Sequence, residues 1–193
     1  MKRRTPAWVL LILSMFLFNM CSLRLPTDIL NREYIDALMS MYEKRYSFSI
    51  KHRDRIRDCI ITYSEKYNIP TDLFARVIGV ESWFKYNAYS SAGARGLCQV
   101  MGCWDYLLYH IDDGKLGKHL LEKGITDYRR YYYRIGYNCA MGAYILSHLK
   151  KKFGTWELAL LFYNHGYSET FMECQKQPAL ARRKKYVRDV LGL

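Results

Sequence analysis

Apolar side chains recur with a helical period along almost the whole chain. Leu30, Tyr34, Leu38 and Met41 make one stripe, and Ile56, Cys59, Ile60, Tyr63 and Tyr67 make a cleaner one at i, i+3, i+4, i+7, i+11. Pro70-Thr71-Asp72 restarts a helix, with Thr71 expected as its N-cap and an acid in the first turn. Residues 82–102 hold Gly93, Gly96 and three serines, and predict a structured loop; Gly114, Gly117 and Gly124 predict another. Helices resume over Tyr137–Lys151 and Thr155–Tyr163, and Pro178 opens a last one. No run alternates as a strand would and no repeat is visible, so the fold class is mainly α.

The first residues stand apart from this pattern. Lys2-Arg3-Arg4 precedes an unbroken apolar run from Ala7 to Leu13, continued after Ser14 to Phe18, which is the layout of an export signal. Extended to Leu23 the stretch falls short of the ~20 residues of a spanning helix. Cleavage, retention as an anchor and lipidation at Cys21 are its three conceivable fates. We therefore set residues 1–24 aside as a signal peptide or membrane anchor, read 25–49 as a helical lead-in, and place the working domain at 50–193.

Composition narrows the class. The 193 residues are half apolar and 16% aromatic with 12 Gly and 4 Pro, enough to bury one core and too few breakers for disorder or collagen. Thirty Lys plus Arg against eighteen Asp plus Glu leave a net charge of +12, which favours a polyanionic partner: nucleic acid, anionic lipid or an acidic wall polymer. Export bears on the six cysteines, Cys21, Cys59, Cys98, Cys103, Cys139 and Cys174, which could pair in an oxidising compartment in connectivities the sequence does not choose. Loss of Cys21 with a signal would leave an odd number. Cys98, Cys103, His110 and His119 lack the two-residue gap of zinc knuckles, so no metal site and no cofactor are expected.

One acid is oddly placed. Phe74, Val77 and Ile78 lie seven, four and three positions before Glu81, which puts a carboxylate on the buried stripe at the C-terminal end of a helix. Burial and the negative end of the helix dipole both disfavour its charged form, and a raised pKa is what a general acid needs near neutral pH. The alternative is a terminal Glu frayed into solvent.

The text after it decides between the two. Glu81-Ser82-Trp83-Phe84, then Ala88, Ser90 and Gly93-Ala94-Arg95-Gly96-Leu97-Cys98-Gln99-Val100-Met101, resembles without gaps the lytic transglycosylase signature ES-x-F…A-x-S-x-x-GA-x-GL-x-Q-x-M. Asn138 to Ile145 is similar to that family's N-x-x-x-GA-x-[YL] helix, Leu161 to Gly166 to its AAYNAG turn, and Tyr186 to Leu191 to its closing YV-x-x-VL helix. Four ordered blocks cover roughly residues 50–191. The chain departs from the pattern at Gly102, where Pro is usual, at Cys98, where Met is common, and at Leu161, Phe162 and His165, which replace alanines. None of these removes a polar group that the chemistry requires. The stretch 102–137, rich in Tyr, is the least transferable part of the cleft wall.

The resemblance implies a lysozyme-like helical domain with a substrate cleft, acting on peptidoglycan strands in the periplasm or cell envelope. It implies a lyase that cuts the β-1,4 bond between N-acetylmuramic acid and N-acetylglucosamine and leaves a 1,6-anhydro-muramoyl product. By the same carry-over Glu81 is the catalytic acid and base, Tyr163 orients it, and Ser90, Gln99, Met101, Tyr163 and Asn164 form the substrate-binding set. Association with a secretion or cell-wall machine fits the same family. Two other classes stay open: a hydrolytic muramidase of the same shape, and a non-catalytic wall binder. Lys150-Lys151-Lys152 and Arg182-Arg183-Lys184-Lys185 read as solvated helix ends rather than a nucleic-acid surface, so no nucleic-acid partner is expected.

Overall fold

The computed structural model describes residues 27–114, 118, 122–123, 128–165 and 179–192. The expected signal or anchor at 1–24 lies outside them, as do Cys21, Cys174, Gly117, Gly124 and Pro178. Among the described residues no helix is long and apolar enough to cross a membrane.

Among the described residues six α-helices run in chain order: α1 Thr27–Tyr46, α2 Arg53–Lys66, α3 Thr71–Ser82, α4 Ile135–Phe153, α5 Trp156–His165 and α6 Ala179–Leu191. Two 3₁₀ segments, Gly102–Gly114 and Tyr128–Tyr133, lie between α3 and α4. The described residues contain no strand, only isolated bridges at Tyr89–Arg95 and Arg95–Val100. The mainly helical fold class therefore holds.

α4 is the centre. Its first three turns bury Ile135, Tyr137, Asn138, Cys139, Ala140, Met141, Gly142, Ala143 and Ile145, so it is apolar all round, as a helix enclosed by others must be. α2, α5 and both 3₁₀ segments pack against it, while α1 lies on α2 and α3, and α6 bridges α3 and α5. α2 buries Ile56 and Ile60 through the stripe read from the sequence, with Cys59, Tyr63 and Tyr67 packed at its margin.

Two local expectations fail. α1 does not bury the predicted stripe: Leu30, Tyr34 and Met41 remain 48%, 37% and 48% exposed, and the helix turns Ile35 and Met39 inward with Leu38 and Tyr42 beside them. Ile35, Leu38, Met39 and Tyr42 also follow a helical period, and this second set is the one that meets α2 and α3. Thr71 is not an N-cap either. It is the first helical residue, and Pro70, extended at ψ 123°, takes the half-in position and accepts the Phe74 amide proton.

The thiols of Cys59, Cys98, Cys103 and Cys139 are free. Lys150, Lys151 and Lys152 occupy the last turn of α4 as expected, whereas residues 182–185 lie in the middle of α6 rather than at a helix end, with Lys184 and Lys185 exposed and Lys185 paired with Asp189 at 2.6 Å.

Candidate active site

Glu81 sits in the last turn of α3, behind the fully buried Phe74, Val77 and Ile78. It is partly buried, and its Oε1 accepts a hydrogen bond from the Tyr186 hydroxyl at 2.7 Å. Burial pushes its pKa from the ordinary 4.5 up to about 7, against the opposing pull of the Tyr186 bond, which favours the carboxylate. Burial, with Glu81 nearby, raises the Tyr186 and Tyr163 hydroxyls well above their usual range, so both remain proton donors.

The helix ends at an abrupt reversal. Trp83 and Phe84 have φ of 55° and 60°, and the chain then runs through tight turns to Met101. At one turn the Ser90 amide donates to the Ala94 carbonyl at 3.0 Å, and the Ser90 Oγ accepts the Ala94 amide proton at 3.0 Å. Arg95 and Val100 exchange two backbone bonds at 3.0 Å across the next. Gly96 is obligatory between them: φ is +75°, and a Cβ would stand 2.3 Å from the Tyr132 carbonyl oxygen.

Asn138 of α4, 1% exposed, holds this loop down. Its Oδ1 accepts the Cys98 amide proton at 2.7 Å, and its Nδ2 donates to the carbonyls of Arg95 and Tyr132 at 2.9 Å each. Three backbone groups from two segments are thus held by one side chain.

The result is a cleft of about 350 Å³ lined by Glu81, Ser90, Gln99, Met101, Tyr163 and Asn164 together with Trp104, Cys103 and Ile145. All six residues proposed from the sequence thus face one space. Among its described lining residues Glu81 is the sole carboxylate. A wider hollow of about 630 Å³ lies between Tyr67–Pro70 and the end of α4, but its lining offers no acid. Glu81 lines the smaller one.

The partners differ from expectation in one respect. The Tyr163 hydroxyl donates to the Cys98 carbonyl at 2.8 Å, and the bond to Glu81 comes from Tyr186 instead. Tyr163 therefore braces the loop that carries Gln99, whose Nε2 donates to the Gly96 carbonyl at 3.0 Å. Tyr186 and Asn138 were absent from the proposed site set, although each opens one of the sequence blocks quoted above. A buried Asn on a helix apolar all round was the available signal. Of the other acids, Glu157 is exposed on α5, Asp105 lies at the start of the first 3₁₀ segment, and Glu169 falls outside the described residues. Among the described residues no group of three His, Cys, Asp or Glu is placed to hold a metal.

Comparison with known proteins bears on the same region. Residues 58–103 match the family described as Transglycosylase SLT domain, a span running from α2 through Glu81 to the end of the loop. The fold is similar to that of the 70 kDa soluble lytic transglycosylase SLT70 of Escherichia coli, with a TM-score of 0.52 and 17% identity. The likeness covers 83% of this chain and 27% of that one, so the chain spans about a quarter of that protein's length. No curated protein matches it in sequence.

Proposed function

From an SLT-type, lysozyme-like domain with a partly buried acid on its cleft, we propose a peptidoglycan lytic transglycosylase in which Glu81 serves as both acid and base. The observation that carries the reading is the character of that acid. Glu81 lines the cleft without a second carboxylate among the described lining residues, and its pKa of about 7 keeps a large share protonated at neutral pH.

The steps follow from the groups present. Tyr186 donates to Oε1, which leaves the other carboxyl oxygen to carry the proton. That proton passes to the glycosidic oxygen as the bond to the muramoyl anomeric carbon breaks. The carboxylate then takes the proton of the C6 hydroxyl, whose oxygen closes onto the same carbon, and Glu81 returns to its starting state with no water consumed. Retaining and inverting hydrolases place two carboxylates about 5–5.5 or 6.5–9.5 Å apart, and the described lining supplies one. Ser90, with its hydroxyl proton not used in the Ala94 bond, Gln99 and Asn164 are the polar groups that would hold sugar substituents; Met101 and Trp104 supply apolar walls. The substrate is the glycan strand of the wall, and the net charge of +12 suits a polymer whose stem peptides carry carboxylates.

The test is product analysis. Purified protein incubated with isolated sacculi should release muropeptides ending in anhydro sugars, and Glu81→Gln should release none while keeping the parent's thermal melt. Products with ordinary reducing ends would make the protein a muramidase, and wall binding without cleavage would make it a binder.

A further inference from the structure

Two residues past Glu81 the backbone enters the left-handed region at Trp83 and stays there at Phe84, with φ 55° and 60°. Bulky side chains adopt that region only at a cost, and two in succession need an outside support. The support comes from α1. The Tyr46 ring stacks on Trp83 with centroids 4.1 Å apart and planes within 5°. One turn earlier, the Tyr42 ring meets the edge of Phe84 at 5.5 Å and crosses Gly79 so closely that a Cβ there would lie 2.9 Å from it. The Lys85 ammonium lies 4.8 Å over the Trp83 ring and 4.5 Å over Phe48, tying the turn to the chain just beyond α1. Aromatic pairs in such geometry are attractive beyond the area they bury, and a cation over a ring adds to that.

We propose that Tyr46 is a positioning residue for Glu81: its stack on Trp83 holds the left-handed turn at 83–84, and so keeps the last turn of α3 wound and its carboxyl against Tyr186. This rests on the reading of Glu81 as the acid. It also places α1 inside the working unit, which then begins at Thr27 rather than at residue 50, outside the span matched by the SLT family. Without the stack the strained turn relaxes, the final turn of α3 frays, and the carboxyl gains water. Added solvation favours the charged form, so less of the acid is protonated at neutral pH.

The experiment compares the parent with Tyr46→Phe and Tyr46→Ala by two readouts. The first is the Glu81 carboxyl titration by carbon-13 NMR, assigned with Glu81→Gln; the second is kcat and KM on soluble glycan strands. Tyr46→Phe keeps the stack and should match the parent in both. Tyr46→Ala should lower the titration midpoint by about one pH unit and cut kcat at pH 7 about five- to tenfold, with KM within about twofold. An unchanged midpoint and kcat in Tyr46→Ala, even with a lower melting temperature, would make Tyr46 a packing residue and overturn the proposal. If the parent proves inactive on glycan, the catalytic reading falls, while the titration still decides what Tyr46 does to Glu81. Should Tyr46→Ala not fold, Tyr46→Leu, which keeps bulk without a ring, goes through the same titration with the same two outcomes.

Discussion

The raised pKa of Glu81 makes the stability of the protein depend on pH in a direction that can be worked out. In the unfolded chain the carboxyl titrates near 4.5; in the fold, burial holds it near 7. Between those values the native state binds a proton that the unfolded state has released, so stability falls as pH rises. The contribution is complete below 4.5 and is lost as pH climbs through 7. About 2.5 pH units at ~1.4 kcal/mol each give a ceiling of about 3.5 kcal/mol, and since Glu81 keeps some contact with solvent about 2 kcal/mol is the expected swing. Glu81→Gln has nothing to titrate at this position. Urea unfolding of parent and variant at pH 4 and pH 8 isolates the effect, because the lowered pKa of His148 and the general charge repulsion are common to both and cancel in the difference. The variant should gain about 2 kcal/mol on the parent between the two pH values. Parallel pH profiles would mean that the carboxyl titrates normally in the fold, and the argument for a sheltered acid would end there.

Two further substitutions probe the parts that hold the acid and the loop. Tyr186→Phe removes the donor that favours the carboxylate, so the alkaline limb of glycan cleavage should move up by about one pH unit, opposite in sign to Tyr46→Ala; a limb that stays or moves down contradicts the bond at 2.7 Å. Asn138→Ala strands the Cys98 amide and the Tyr132 carbonyl, while the Arg95 carbonyl keeps its bond from the Val100 amide, and at about 1–3 kcal/mol for each unpaired buried group should cost at least about 2 kcal/mol in urea unfolding; a loss below about 1 kcal/mol would show that the loop keeps its shape unaided.

What could be read from the sequence was whatever depends on spacing along one helix or one loop. The position of Glu81 behind Phe74, Val77 and Ile78 fixed its face, and in the structure it is partly buried there. On α1 the same reasoning met two interleaved apolar sets, Leu30-Tyr34-Leu38-Met41 and Ile35-Leu38-Met39-Tyr42. Both satisfy a helical period, and only the position of α2 and α3 selects the second. The exchange of Tyr163 and Tyr186 has the same origin. Each tyrosine lies on a helix beside the cleft and each hydroxyl can reach an acceptor, but the bond to Glu81 spans 105 residues and depends on how α6 lies against α3. Spacing within a block carries no information about that.

The division has a physical consequence for the span from 58 to 103, which contains the acid and the whole loop. Several groups that hold these in place lie outside it: Tyr42 and Tyr46 on the turn, Asn138 under the loop, Tyr163 on the Cys98 carbonyl, Tyr186 on the carboxyl. A carboxyl at the end of an isolated helix is hydrated and titrates as an ordinary glutamate, because desolvation is the main cause of its shift. The acid is therefore local in sequence but its acidity is not. It is set by helices on three sides, α1 holding the turn, α4 pinning the loop and α6 touching the carboxyl, so substitutions far from residue 81 in sequence can change the pH at which this cleft works without touching a substrate.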